Sequence, residues 1–110
     1  MKQTPGTVVT LTAVADGTER QVVMQKVKID GTLGKSVIAR QKADASMATK
    51  EALARPEILR DSSGRIHNTT HCVTLRCAIN NANQTVSERF YVSDNCGEFE
   101  ALLRKEINRG

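Results

Sequence analysis

Cys72-Val73-Thr74-Leu75-Arg76-Cys77-Ala78-Ile79 is the stretch whose reading decides the fold. Val73, Leu75, Cys77 and Ile79 alternate with Cys72, Thr74, Arg76 and Ala78, the period-2 signature of a strand with one face in a core and one toward water. The expected strand runs over residues 70–79. After the turn Asn80-Asn81-Ala82-Asn83, the segment from Gln84 to Val92 repeats the split, with Val86, Phe90 and Val92 against Thr85, Ser87, Arg89 and Tyr91. Glu88 interrupts the apolar side and is expected near its rim. Hairpin neighbours share faces, so Thr74, Arg76, Thr85, Ser87, Arg89 and Tyr91 should form one polar, basic patch. Such a patch is either the solvated side of an antiparallel sheet or a binding surface.

Downstream, Asn95 and Glu98 stand in capping-box spacing, and Phe99, Leu102, Leu103 and Ile107 form a stripe of helical period. With Glu100 and Arg104 as an i,i+4 pair, this predicts a C-terminal amphipathic helix over 95–108. A helix of about a dozen residues is unstable alone and has to dock on a sheet. Upstream, residues 7–14 and 20–29 flank Asp16-Gly17 as a hairpin, with Val9, Leu11 and Ala13 facing Val23, Val27 and Ile29. A third strand is expected over about 35–41. The Ala-rich residues 43–54 read as a helical turn or a long connection, and we favour the connection. Arg55-Pro56 marks a boundary, because proline pushes its predecessor out of the α region. A short strand over 57–61 then turns at Ser62-Ser63-Gly64.

Composition bounds these expectations. A chain of 110 residues makes one domain (hairpin 1–30, main sheet 35–92, helix 95–108), and 3% aromatics with no Trp leave its core short of large side chains. A partner chain is expected to complete it. The net charge is +4, with thirteen Lys/Arg against eight Asp/Glu over residues 1–93 and three against four over 94–110. That asymmetry suits a basic sheet facing phosphates and a helix turned away from them. No run approaches a membrane span, and Met1-Lys2-Gln3-Thr4-Pro5-Gly6 lacks a signal peptide's apolar region, so a cytosol-like compartment is expected. Three cysteines, an odd number, agree with free thiols.

Several chemical signals fail on spacing. Gly31-Thr32-Leu33-Gly34-Lys35-Ser36 is similar to the end of a phosphate-binding loop, but Ile29 stands where that motif requires glycine and a strand pattern follows. His67, His71, Cys72 and Cys77 do not converge as metal ligands, since Cys72 and Cys77 have opposite parity and the histidines are not on the side of Cys72. Neither histidine has a nucleophile or paired carboxylate marked out by the sequence. Cys96 reads as a packing cysteine. No catalytic residue, metal or cofactor is expected, and no small-molecule substrate.

The order of Arg60-Asp61-Ser62-Ser63, then Thr74-Leu75-Arg76, then a last strand with aromatic Phe90, then Ser93-Asp94-Asn95-Cys96 resembles the coat proteins of single-stranded RNA bacteriophages, the leviviruses. The resemblance covers residues 58–107 in wording, and the Asp-Gly hairpin fits the same layout. It implies an α+β fold with an N-terminal hairpin, an antiparallel sheet of about five strands and a C-terminal helix laid over a partner subunit. It further implies a homodimer that assembles into an icosahedral shell around genomic RNA, without enzyme activity, in a virion built in the bacterial cytoplasm. Binding of an RNA operator hairpin, repressing translation, belongs to the same picture. Carried over by position, Arg60, Thr74 and Arg76 are the RNA-contacting residues, with Asn83, Thr85, Arg89 and Tyr91 as further candidates. Phe99, Leu102, Leu103 and Ile107 become the dimer interface. Two departures stand out: the chain stops at Arg109-Gly110 where relatives enter a second helix, and the turn 80–83 is shorter than the loop lining the shell openings. The runner-up is a small dimeric nucleic-acid-binding regulator with a basic sheet face, and a third reading is a small enzyme using His67 or His71.

Overall fold

A computed structural model describes residues 6–107. The sequence readings on residues 1–5 and on 108–110 lie outside the described residues. Strands β1 (Val8–Ala15) and β2 (Gln21–Ile29) form the expected hairpin, with Gly17 at φ +80° in its turn. The phase along β2 differs from expectation. A bulge between the Val9/Val27 and Leu11/Met24 pairs slips the register by one residue, so Val22 and Met24 are buried while Val23 is 49% exposed. Glu100 satisfies the bulge: its Oε1 accepts the backbone N–H groups of Gln25 and Lys26 at 2.8 and 2.9 Å.

The chain continues through β3 (Ser36–Ala39), helix α1 (Arg40–Ser46), β4 (Glu51–Arg60), β5 (Ile66–Ile79), β6 (Val86–Ser93) and β7 (Ala101–Leu103). The strand order is β1-β2-β7-β3-β6-β5, and β5 pairs back onto β1, closing a six-stranded barrel. Strand β5 has the length to serve three neighbours. Its first half carries β4, residues 72–77 pair with β6, and residues 75–79 with β1. The alternation that marks β5 is realised, with Val73, Leu75 and Cys77 in the barrel core beside Leu11, Met24, Ile38, Phe90 and Leu103.

This architecture replaces the expected α+β fold. The sheet is mostly antiparallel, but β2–β7 and β3–β6 are parallel, and no helix follows β6 in the described residues. The segment expected as helix 95–108 instead supplies β7, which fills the gap between β2 and β3. Ala101 and Leu103 point into the barrel, Leu102 points outward into a second apolar cluster, and all three are buried. A strand buried on both faces reads as a continuous apolar run, which periodicity cannot separate from a buried helix. Locally the helix start is also pre-empted. Asn95 Oδ1 accepts from the N–H of Gly97, which sits at φ +65° and turns the chain toward β7. Phe99, Leu102, Leu103 and Ile107, expected at a dimer interface, thus belong to this chain's own interior, with Phe99 partly exposed and the other three buried.

Within residues 43–54, read as a helical turn or a connection with the connection favoured, the structure has the end of α1 to Ser46, a short connection from Met47, which caps the helix at φ 59°, and the start of β4 at Glu51. Arg55-Pro56 does not end an element. It lies in an irregular stretch of β4, where the register passes from Ala52/His71 to Glu57/Thr69 and residues 53–56 face Thr70 alone. Beyond it, β4 and the first half of β5 form a hairpin arm that folds across the outside of the barrel. Leu59 joins Leu33, Val37, Cys96, Leu102, Ala39 and Phe99 in the second cluster. The arm's tip is tied to the end of β2 by Asp30, whose Oδ2 accepts the Ser62 N–H and hydroxyl, both at 2.9 Å. Burial alone would push the Asp30 carboxyl up, but backbone hydrogen bonds from Ser62, Thr32 and Leu33 hold it below the usual carboxylate range.

Candidate nucleic-acid interface

Pairing of Thr74 with Arg89 and of Arg76 with Ser87 sets these four side chains on one exposed outer face of β5–β6. The expected patch therefore exists as a surface, at the base of the arm. Asn83 and Thr85 are exposed in the turn that ends it. Arg60 is elsewhere: it is exposed on the arm, paired across the strands with Ile66.

Tyr91 shares the parity of this face but is only 7% exposed. The Lys35 ammonium lies 5.0 Å from its ring centroid and the Arg89 guanidinium 5.6 Å. Tyr91, expected among the RNA-contacting residues of the open face, is thus largely covered, its ring already holding two cations. Lys35 and Arg104 were missed by the sequence reading, because they reach this surface from the start of β3 and the end of β7. They line a cleft of about 180 Å³ with Ser36, Glu88, Arg89 and Tyr91. Glu88 is not at an open rim. It is 5% exposed, accepting from Ser36 Oγ at 2.6 Å and Arg104 Nε at 2.9 Å.

The charge on this face is partly compensated. Arg76 contacts Asp16 at 3.2 Å, Lys35 pairs with Glu57, and Arg104 pairs with Glu88. Among the described residues Arg89 forms no ion pair and instead places its Nε 3.0 Å from the Cys72 sulfur. The Arg76 pair is exposed, where such contacts contribute about 0–1 kcal/mol, so a phosphate can compete for that guanidinium. A larger cleft of about 430 Å³ beside α1 is lined by Arg40, Lys42, Asp94 and Glu100, whose charges pair within it.

His67 occupies a relay the sequence did not disclose. Its Nε2 lies 2.8 Å from Asp61 Oδ2 and its Nδ1 2.7 Å from Ser93 Oγ. Beside a carboxylate Nε2 is the donor, and Nδ1 is hydrogen-bonded to the Ser93 hydroxyl. Burial would raise the Asp61 carboxyl, but hydrogen bonds from Ser63, His67 and Arg65 hold it down at about 2. The order serine, imidazole, carboxylate is that of a nucleophilic triad. Access decides against that use: His67 is wholly buried and Ser93 is 2% exposed. The relay joins the arm to β6. His71 is half-buried, with Nδ1 2.9 Å from the Thr70 hydroxyl. The Cys77 thiol is pushed up to about 12 by burial and the Cys96 thiol to about 11, so neither is a ready nucleophile at neutral pH. Among the described residues no His, Cys, Asp and Glu group is disposed to hold a metal, and no helix is long and apolar enough to cross a membrane.

No protein-family model matches this chain, and comparison with curated proteins and with solved structures finds no match to either.

Proposed function

We propose that this chain binds single-stranded nucleic acid on the outer face of its barrel, with Arg76 and Arg89 as phosphate contacts and Thr74 and Ser87 as polar neighbours. The observation that carries the reading is the β5–β6 register, which places two arginines from adjacent strands on one exposed face. The net charge of +4 supports it by favouring association with a polyanion. The shape favours a flexible strand over duplex DNA. The described residues offer only the seven-residue helix α1, and the β4–β5 hairpin packs Leu59 against the barrel instead of standing free as a β-ribbon that could enter a major groove. The test is fluorescence anisotropy of a labelled oligouridylate across a salt series. Binding should weaken linearly in the logarithm of salt, and Arg76→Glu or Arg89→Glu should each lower the slope by about 0.7, as for one lost phosphate contact on a single strand. Unaltered affinity and slope in both variants would return this face to plain solvated surface.

A second reading, a subunit of an RNA-containing shell, is favoured by one observation. Strand β4 is the one strand of the described sheet with a single neighbour, and Ile58 on it is 69% exposed, which suits pairing with another copy. The open sheet and clasping helix that the levivirus resemblance implies are absent from the described fold, so this reading leans on the edge alone. Electron microscopy of the purified protein tests it: uniform RNA-filled particles support a shell, and RNA-bound monomers or dimers oppose it.

A further inference from the structure

A second group of cations outside the ion pairs of the described residues lies away from β5–β6, where the arm's tip meets the end of β2. Lys26 and Lys28 are two residues apart on the same face of β2. The Lys28 ammonium lies 3.1 Å from the Ser62 hydroxyl at the tip and 5.7 Å from the Phe99 ring centroid. Arg65 reaches across the same junction. Its guanidinium lies over Gly97, so closely that a Cβ built there would meet Nη2 at 2.7 Å, and Nη1 donates to Asn95 Oδ1 at 3.3 Å. Lys26, Lys28 and Arg65 are in none of the ion pairs among the described residues. The carboxylates around them are committed elsewhere. Asp30 and Asp61 are buried and occupied by backbone and serine hydrogen bonds, and Glu100 is held by the β2 bulge and by Lys42 at 3.1 Å. Glu98 is exposed in the adjoining loop and forms no ion pair with them.

We propose that Lys26, Lys28 and Arg65 form a second phosphate-binding surface at the arm's tip, so that one nucleic-acid strand runs from β5–β6 across the arm to the end of β2. The inference rests on the nucleic-acid reading given above and extends it to a different part of the molecule. Its logic is electrostatic. A cation held near neutral oxygens and an aromatic ring keeps its full charge for a phosphate, whereas one already paired with a carboxylate has to exchange partners. Two of the three groups are also held in place. Gly97 leaves room for the Arg65 guanidinium, and Ser62 positions the Lys28 ammonium, so less side-chain freedom is lost on binding.

The test compares the intact protein with Lys26→Glu/Arg65→Glu, with the milder Lys28→Gln, and with a charge-reversal control at Arg20, exposed at the opposite end of β2. Each is titrated with oligouridylate over a salt series, and retention of the thermal unfolding transition shows that the variant is folded. The double variant should lose about 1.4 units of slope and Lys28→Gln about 0.7, with Arg20→Glu near the parent. If the parent binds while the tip variants match the Arg20 control, the tip surface is refuted and the β5–β6 reading stands. If the parent does not bind at all, both fall. Because Lys28→Gln removes charge without adding any, a fall in slope with that variant also excludes simple repulsion as the cause.

Discussion

His67 and Asp61 meet at 2.8 Å in a fully buried contact that fastens the tip of the arm, through Ser93, to the barrel strand β6. Asp61 also accepts from the Ser63 N–H and hydroxyl and from the Arg65 N–H, so one carboxylate orders the whole turn. The arm is held by this polar junction as well as by the small apolar cluster beneath it.

His67→Ala should therefore destabilise the protein by about 2–4 kcal/mol, through a cavity and an unpartnered Asp61 oxygen. Urea unfolding measures it. A change under 0.5 kcal/mol would show that the junction is dispensable.

Acid should act on the same place. Asp61 titrates near 2 in the fold against a usual 3.8, so the fold binds fewer protons between these values. Its contribution, on the order of 2 kcal/mol, is complete above the unfolded value and is lost as pH falls through about 2. Asp30 and Glu100, also held below the usual range, add in the same direction. The stability difference between the parent and Asp61→Asn should shrink steadily as pH falls from about 5 toward about 2. A constant difference would contradict this account.

What was legible in the sequence follows from how many faces each strand buries. Strands β1, β5 and β6 keep one polar side over much of their length, so their alternation and the shared face of Thr74, Arg76 and Arg89 could be read directly. Strand β7 has no polar side, and its Ala-Leu-Leu run matched a helix stripe equally well. In β2, the bulge at Gln25-Lys26 depends on Glu100, seventy-five positions from Gln25, and no local pattern reports it. The burial of Tyr91 and the His67 relay likewise depend on the arm folding over the barrel and on Lys35 arriving from β3. Face sharing within a hairpin is a local property, whereas what covers a face is not.

Leu103 tests the corrected role of the C-terminal segment. As a fully buried residue of the barrel, Leu103→Ala should cost about 2–5 kcal/mol in unfolding free energy, independent of protein concentration. A loss that appears only as dimer dissociation, with the monomer's stability unchanged, would favour the interface role instead.

The central claim, a nucleic-acid surface on the outside of the barrel, is met most directly by amide chemical-shift mapping during titration with oligouridylate. The account predicts the first and largest changes at Thr74, Arg76, Ser87 and Arg89, attenuated as salt rises, with buried Val73, Leu75 and Phe90 little affected. Saturating RNA that leaves β5–β6 unshifted, or that shifts only residues remote from these arginines and from the arm's tip, would contradict it.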